Sequence, residues 1–526
     1  MSYLKKEFLF AILPLIIILY NLIPKKNVRR IFLLIANLGF YFILGTYRMI
    51  YLIISIISIY FGALYIKKYD DIKEKLLKKN DADKKLINEK IKKRKKLILL
   101  VTILLNVLFL VVFKYLGFFT MNINGLFDLL HIDYNIKVMK LLAPIGISFY
   151  TLSAISYIVD VYNGKINADK SFIKVSLFLS FFPQIMEGPI ARFSDTADKL
   201  YESNKIKYDN FISGYQRIMY GFFKKMLVVD RINPLVSNVF DNYSSYSSFT
   251  IFLGALMYTV MLYMEFSGTM DVVVGVGKIF DVNIPENFRQ PFFSKNVSEF
   301  WTRWHISLGT WFKDYIYYPI SLSKPLKKLT VKARKSLGNH YGPLLSGSIA
   351  LLVVWFLNGL WHGAGYTYLF FGLYHFVMIA GGNFISPVFL SICNKLHINR
   401  ENKIFRVFQS LKMTFFIIIG EMIFRAETMK DVFGMFKGIF SKNLFNGQEL
   451  LNLGLDIHDY IIVFLTIIVV FVVSLLKEKN KDIIGYINNQ KTWVKWTIFY
   501  IVILVIIIFG AYGPGYEPLD PIYADF

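Results

Sequence analysis

LILLVTILLNVLFLVVFKYLGFF, residues 97 to 119, carries one charged side chain, that of Lys114. A helix needs about 20 predominantly apolar residues to cross the hydrocarbon core of a bilayer. Comparable apolar blocks recur along the whole chain, near 8–23, 31–47, 49–66, 97–119, 140–162, 171–190, 211–229, 249–280, 344–362, 366–386, 404–424, 460–476 and 494–512. The sequence therefore predicts an all-α polytopic membrane protein with about 11–13 transmembrane or re-entrant helices.

The overall composition supports this class. Of 526 residues, 55% are hydrophobic and only 18% are charged, and the mean hydropathy is +0.47. Soluble proteins average about 25% charged residues. The net charge of +24 is concentrated between the apolar blocks, as expected of loops retained on the cytoplasmic side, and no aromatic-basic nucleic-acid module accompanies it. We therefore predict no nucleic-acid partner.

The single cysteine, Cys393, excludes an intrachain disulfide and any multi-cysteine metal site, and we predict no metal. The apolar run near the N-terminus lacks a small-x-small cleavage site and is followed by basic residues, so we interpret it as a retained first helix. No extramembrane domain of useful size is evident. We predict one integral-membrane domain over 1–526, with N-terminal helices in 1–139 and C-terminal helices in 431–526.

Basic segments predict the topology. Residues 67–96 contain fourteen Lys and Arg against six Asp and Glu, and two apolar blocks separate them from the basic loop at 24–30. Residues 321–338 contain six basic residues and no acidic one. The positive-inside rule places all three segments in the cytoplasm and the N-terminus outside.

Ionisable side chains inside apolar segments are costly, by about 2.5–3.5 kcal/mol on insertion scales, and usually have a partner or a function. Here they are Glu187, Glu265, Asp271, His362, His375, Glu421 and Arg425. Glu421 and Arg425 are four residues apart, which predicts an ion pair on one helix face. Glu265 and Asp271 are six apart and do not form an obvious acid–base couple. His375 follows an aromatic run and is interpreted as a packing residue.

Two histidines lie in tryptophan-rich motifs. In NGLWHGAG (358–365), Asn358 and His362 share one helical stripe beside Trp361, and the glycines allow close approach. A neutral imidazole in a water-poor pocket suits general-base catalysis, although a buried histidine is often simply hydrogen-bonded. In SEFWTRWHISLGTWFKDYIYYPI (298–320), which contains His305, the alternation of aromatic and charged residues also suits an interfacial helix.

Together these motifs resemble the membrane-bound O-acyltransferase (MBOAT) family. The resemblance is to the bacterial branch that includes the alginate O-acetylation membrane protein AlgI, and more distantly to the D-alanyl transfer protein DltB. The similar segments, in order, cover about 140–430: PIGISFYTLSAISYIVDVYNG (144–164), FFPQIMEGPIARFSD (181–195), 266–320, NGLWHGAGYTYLFFGLYH (358–375) and IFRAET (423–428). Departures include Glu187, Glu265 and Thr269.

The resemblance implies a helical bundle around a central chamber or tunnel, with His362 catalytic and His305 lining the same route. It assigns supporting roles to other motif residues: Asn358, Trp361, Trp304, Arg303 and Asp314. It further implies a bacterial plasma-membrane enzyme that binds no cofactor. An acyl group, acetyl by the closer motif match, would pass from a cytoplasmic acyl-coenzyme A or acyl carrier protein thioester toward hydroxyls of an extracytoplasmic polysaccharide or wall polymer. The implied partner is an extracytoplasmic SGNH-hydrolase-like acyltransferase or a polysaccharide-synthesis complex.

Two alternatives remain open from the sequence. One is D-alanyl transfer to teichoic acid, in the manner of DltB. The other, from a different class, is a polytopic transporter or flippase for a surface-polymer precursor. The transporter would account for the helices and the intramembrane charges, but it does not predict two tryptophan–histidine motifs.

Overall fold

The computed structural model describes residues 7–78, 83–139, 141–441, 443–512 and 516. It is 81% helical, and no β-strand occurs in these ranges. The α-helices are α1 Leu13–Leu22, α2 Lys26–Gly45, α3 Met49–Leu77, α4 Lys84–Leu129, α5 Ile147–Tyr162, α6 Phe172–Ser180, α7 Phe182–Ile185, α8 Phe193–Glu202, α9 Tyr208–Lys224, α10 Asp230–Asp241, α11 Ser248–Ile279, α12 Val297–Arg303, α13 Ile306–Phe312, α14 Tyr318–Ser321, α15 Lys324–His362, α16 Tyr366–Lys395, α17 Lys403–Arg425, α18 Met429–Ser441, α19 Gly447–Leu451, α20 Ile457–Glu478, α21 Ile483–Asn488 and α22 Thr492–Phe509. The predicted all-α polytopic class is confirmed.

Eight helical stretches within the described ranges are long and apolar enough to cross a membrane. One of them, Lys26–Leu77, contains α2 and α3 joined by a 3-10 turn, and two shorter apolar helices are Phe8–Leu22 and α5. The apolar block at 171–190 folds as the short helices α6 and α7 rather than as one long helix. The block at 211–229 folds as α9 and a π-helical segment, Lys225–Val229. Its Lys224 and Lys225 are buried rather than interfacial.

The chain forms two compact units. The first comprises Met1–Ile218 and Thr269–Pro285. There α3 and α4 meet at a small-residue crossing, since a Cβ on Gly62 would lie 2.6 Å from Thr102 Oγ1. Within the crossing Asn106 donates from Nδ2 to Ser58 Oγ (2.9 Å). Small residues and side-chain hydrogen bonds are the usual means of helix association in membranes.

The second unit comprises Met219–Gly268 and Glu286–Ile522. Its centre is the antiparallel pair α15 and α16, whose backbones are in direct contact. A Cβ on Gly359 would lie 2.4 Å from the Tyr368 carbonyl oxygen, and one on Gly372 would lie 2.3 Å from that of Trp355. Because any side chain at these two positions would separate the helices, the glycines fix where the end of α15 lies.

The basic segments are helical rather than loop-like. Residues 67–77 and 84–96 extend α3 and α4 beyond their apolar parts, and Lys95 pairs with Asp70 there (2.7 Å). The α4 extension begins at Asp83, whose carboxylate accepts hydrogen bonds from the backbone N–H groups of Lys85 and Leu86. In α15 the basic part is separated from the apolar part by a kink at Gly338, which has φ +77°. The sidedness of these segments remains a prediction.

Candidate active site

His305 occupies a tight connection between α12 and α13. Its backbone is in the left-handed region (φ 46°, ψ 51°), which is uncommon for a residue other than glycine. Asn287 holds the connection, because its carbonyl oxygen accepts from Ile306 N–H (3.1 Å) and its Oδ1 accepts from Ser307 N–H (2.9 Å). Arg289 N–H also donates to the Arg303 carbonyl (2.9 Å). Backbone conformations of this kind persist where the surrounding structure enforces them, and they concentrate at functional sites.

The His305 imidazole is enclosed by aromatic rings. It packs edge-on against Phe266 on α11, with ring centroids 4.8 Å apart, and against Trp361 at 5.6 Å. Burial lowers the pKa of His305 from 6.5 to about 3, because the charged form would lose its hydration. The imidazole is therefore neutral near pH 7, and it is a weak base there.

His362 is the last residue of α15, and it is buried there. The chain leaves the helix at Gly363, where a Cβ would lie 2.1 Å from Cε2 of Tyr368. The His362 ring packs against Phe424 of α17, with centroids 5.1 Å apart, and against Phe371 of α16 at 5.9 Å. Two neighbouring helices thus position the imidazole at a helix end.

Trp361 brings the two motif histidines into one cluster. Its ring contacts His305 at 5.6 Å and His362 at 4.9 Å, both in edge-to-face arrangements. The two imidazoles therefore contact the same indole, although they are 57 positions apart in the sequence. A shared site for both histidines follows from these ring contacts.

Asn358 lies one helical turn before His362, as its spacing predicts. The side chain is buried, and its Oδ1 accepts no hydrogen bond from the described residues. An amide carbonyl left without a donor in a buried site has a free-energy cost unless a ligand or water supplies one. Asn358 is thus available to a bound molecule.

The remaining predicted supporting residues have neighbours other than the two imidazoles. Trp304 is buried between Phe288 (5.0 Å) and Phe300 (5.4 Å) and anchors the α12–α13 connection. Arg303 pairs with Glu299 (2.7 Å) and with Glu478 of α20 (2.8 Å). It lines a cavity of about 590 Å³ whose walls are mostly apolar side chains of α11, α17 and α20. Asp314 is half-buried on the π-helical segment Lys313–Tyr317.

His375 also belongs to this cluster of rings. Its ring contacts Phe371 at 4.6 Å, and Phe371 also contacts His362. The indole N–H of Trp301 donates to His375 Nδ1 (3.3 Å), which fixes the proton of the neutral ring on Nε2. These ring contacts are compatible with the interpretation of His375 as a packing residue. In the sequence, only its position after an aromatic run indicated where it would lie.

The predicted ion pair between Glu421 and Arg425 is wrong. No ion pair joins them in this fully described helix, and the Arg425 guanidinium lies over the ring of Phe240 at 5.4 Å. Arg425 is the last residue of α17 and its guanidinium contacts the end of α10, whereas Glu421 is buried within the helix. Helical spacing allowed the pair, but the helix terminus offered the arginine a different neighbour.

The other intramembrane carboxylates have separate surroundings. Asp271 pairs with Arg217 in the first unit, and Glu187 is buried in that unit. Glu265 is buried in the second unit. That Glu265 and Asp271 do not form an acid–base couple stays a prediction. Within the described ranges no three His, Cys, Asp or Glu side chains are grouped so as to hold a metal ion.

The fold and this cluster define a polytopic helical membrane protein with a buried histidine site. Residues 165–334 match the profile of MBOAT, the membrane-bound O-acyltransferase family. The chain is 31% identical over 387 residues to the probable alginate O-acetylase AlgI of Pseudomonas syringae pv. tomato, a match that covers 73% of this chain and 69% of that protein. The chain belongs to the membrane-bound O-acyltransferase family.

Two further relatives differ in how much of their length is matched. The probable alginate O-acetylase AlgI of Azotobacter vinelandii is 33% identical over 329 residues, which make up 62% of this chain. The chain thus spans 60% of that relative's length. The peptidoglycan O-acetyltransferase of Helicobacter pylori is 26% identical over 536 residues, which cover 93% of this chain and 91% of that protein. The predicted resemblance to the family is confirmed.

Proposed function

We propose that this protein is a membrane O-acyltransferase that transfers an acyl group from a thioester to a hydroxyl of a polysaccharide or cell-wall polymer. The observation that carries the proposal is the indole of Trp361 between His305 and His362, which joins two distant tryptophan–histidine motifs in one buried cluster. The names of the relatives, which include O-acetylases and an O-acetyltransferase, support acetyl as the acyl group.

In the proposed reaction His362 removes the proton from the attacking hydroxyl. The hydroxyl oxygen bonds to the thioester carbonyl carbon, the carbon–sulfur bond breaks, and the thiolate leaves with the proton that the imidazole returns. The products are an ester and a thiol, so atoms and charge balance. A general base of this kind typically contributes two to four powers of ten in rate. The Asn358 amide could orient the imidazole or stabilise the oxyanion, and the aromatic walls would exclude water.

The donor, the partner and the location are also proposals. We propose that acyl-coenzyme A or an acyl carrier protein supplies the thioester from the cytoplasm of a bacterium, across its plasma membrane. The group would reach the polymer directly or through an extracytoplasmic SGNH-hydrolase-like acyltransferase or a polysaccharide-synthesis complex. The observation behind the membrane assignment is the eight long apolar helical stretches in the described part of the chain.

The test is acyl labelling of membranes from a thioester, with four histidine variants. His362→Ala and His362→Gln should both lose labelling, since an amide forms hydrogen bonds but cannot take up a proton near neutral pH. His305→Ala should also be severely impaired, whereas His305→Gln should keep partial activity if His305 positions donor or water. His458→Ala is the matched control, because His458 is exposed near the start of α20.

Labelling is normalised to folded protein measured by size-exclusion chromatography. Full activity in folded His362→Ala would refute the proposal that this protein is an acyltransferase. A transporter or flippase for a polymer precursor predicts that no variant of the histidines changes the labelling, because it needs no thioester chemistry.

A further inference from the structure

The cavity of about 590 Å³ that Arg303 lines is a cleft between α11, α17 and α20, within the second unit. Three of its apolar lining residues, Val407, Leu411 and Phe471, are exposed on α17 and α20. Both helices are long and apolar enough to cross a membrane, so their exposed apolar side chains contact lipid chains. The cavity, called here the α17–α20 cleft, is therefore accessible to lipid from the side of the helix bundle.

The lining of the α17–α20 cleft changes from charged to hydroxyl-bearing to apolar. On α20 it begins at Glu478, continues with Ser474 one turn further and ends at Ile467 after apolar side chains. On α17 Arg406 and Ser410 show the same order, one turn apart. The eleven residues from Glu478 to Ile467 span about 16 Å of helix. Since half of the hydrocarbon core of a bilayer is about 15 Å thick, the cleft has the depth of one leaflet.

The charged end of the α17–α20 cleft has cations to spare. It contains Lys295, Arg303 and Arg406 together with the carboxylates of Glu299 and Glu478. Both carboxylates pair with Arg303, at 2.7 and 2.8 Å. The Lys295 side chain forms no ion pair within the described ranges, and Arg406 pairs with an exposed glutamate outside the cleft, a type of contact that contributes little in water. Two cationic groups are therefore available to a bound anion.

The segments that adjoin this charged end are basic. Residues 395–406 and 477–481 together contain seven Lys and Arg and two Glu. Basic segments next to a membrane helix attract anionic lipid headgroups, and the positive-inside rule places both segments on the same side of the membrane. The charge around the cleft thus favours an anionic headgroup over a zwitterionic one.

We propose that the α17–α20 cleft is a binding site for one anionic phospholipid of the bilayer. The phosphate lies at Lys295 and Arg406, which supply charge-assisted hydrogen bonds. The glycerol esters lie one turn further, where the hydroxyls of Ser410 and Ser474 can donate to ester carbonyls. An acyl chain fills the apolar part between α11, α17 and α20.

The lipid packs on α12, a helix that also contacts the candidate active site. Arg303, the last residue of α12, lines the cleft and joins α12 to α20 through Glu478. On the same helix, the indole N–H of Trp301 donates to His375 Nδ1 (3.3 Å). Occupancy of the cleft should therefore stabilise the folded second unit, because a ligand that binds the folded state alone raises its stability.

The test is native mass spectrometry of the purified full-length protein with dioleoylphosphatidylglycerol or dioleoylphosphatidylcholine at equal concentration, without any thioester. We expect one phosphatidylglycerol to be retained per protein, with a preference over phosphatidylcholine of roughly five- to thirtyfold for one to two cations. The double variant Lys295→Gln, Arg406→Gln should remove most of this preference. Lys403→Gln is the matched control, because Lys403 is an exposed cation in the first turn of α17 that does not line the cleft.

Substitutions that fill the cleft test its location. Ser474→Phe on α20 and the smaller change Ser410→Leu on α17 should each reduce retention of both lipids, because they occupy the level of the glycerol esters. Val469→Phe is the matched control, since Val469 is exposed on α20 and does not line the cleft. Size-exclusion chromatography reports folding, and if neither filling variant folds, the double charge variant decides.

Thermal unfolding gives a second readout. Saturating phosphatidylglycerol should raise the melting temperature of the wild type more than phosphatidylcholine does, and the double charge variant should lose that difference. Equal retention of the two lipids would overturn the proposal. A preference that survives the charge variant, or retention that survives the filling variants, would also overturn it and indicate lipid around the bundle only. Displacement of the lipid by acetyl-coenzyme A would instead assign the cleft to the acyl donor.

Discussion

Gly363 provides the sharpest test of how the candidate active site is built. An alanine Cβ there would lie 2.1 Å from Cε2, 2.3 Å from Cδ2 and 2.9 Å from Cζ of the Tyr368 ring. The backbone at Gly363 is extended (φ −176°, ψ 161°), a conformation that any residue adopts. Gly363→Ala therefore introduces no backbone strain, and its entire effect is the collision with the Tyr368 ring.

The size of the effect follows from these distances. Nonbonded carbon atoms settle at about 3.5–4.0 Å, so the Tyr368 ring has to move by roughly 1.5 Å. That ring packs against Phe424 at 5.2 Å, and Phe424 packs against His362 at 5.1 Å. Overpacking of this kind typically costs about 1–3 kcal/mol. A displacement of about 1 Å at a catalytic group can cost about a hundredfold in rate. We therefore expect a lower melting temperature and a large loss of acyl transfer.

The assay combines thermal unfolding of the purified protein with thioester-dependent acyl labelling. Gly382→Ala on α16 is the matched control, because a Cβ there meets nothing within 4 Å. Gly363→Ala combined with Tyr368→Ala should recover stability relative to Gly363→Ala alone, which a double-mutant cycle measures. A Gly363→Ala protein with the stability and activity of the wild type would show that the contact with Tyr368 does not position His362.

Two further predictions concern buried ionisable groups. The pKa of His305 is about 3 in the folded protein and 6.5 when unperturbed, so below pH 6.5 the unfolded chain takes up the proton first and stability falls. Between pH 6.5 and pH 5 the wild type should lose about 1.7 kcal/mol more than His305→Gln, and chemical unfolding of both proteins at the two pH values measures this difference. Glu421→Gln should leave the folded yield and the melting temperature unchanged, because no ion pair is broken; a marked loss of folded protein would mean that Glu421 has a charged partner.

Hydropathy predicted the class of fold because membrane helices satisfy their backbone hydrogen bonds internally. A long apolar run is therefore enough to predict a membrane helix. Hydropathy could not predict that the 171–190 block folds as the two helices α6 and α7, because the apolar content of a segment does not determine where a helix within it ends. The break falls at Phe181, whose backbone is not helical (φ −55°, ψ 111°), and Pro183 follows in the first turn of α7, where a proline is tolerated. The apolar pattern around it continues, so hydropathy alone treats the block as one element.

Local spacing predicted which residues share a helix face, but not which neighbour each side chain contacts. Asn358 and His362 share a stripe of α15, as their separation of four predicted. Glu421 and Arg425 have the same separation, but Arg425 ends α17 and is stacked on Phe240 instead. The neighbour that Arg425 contacts is thus a residue far away in the sequence, which local spacing cannot predict.

The tryptophan–histidine motifs combine chemical and packing requirements that the sequence alone does not separate. In NGLWHG, His362 is the proposed base, whereas Gly359 and Gly363 are required because Tyr368 occupies the space that their side chains would fill. Trp361 has a third task, since its ring lies between His362 and the histidine of the other motif. The residues of this motif therefore form one contact region between α15 and α16. A substitution at either glycine should displace the imidazole without altering any group that takes part in the reaction.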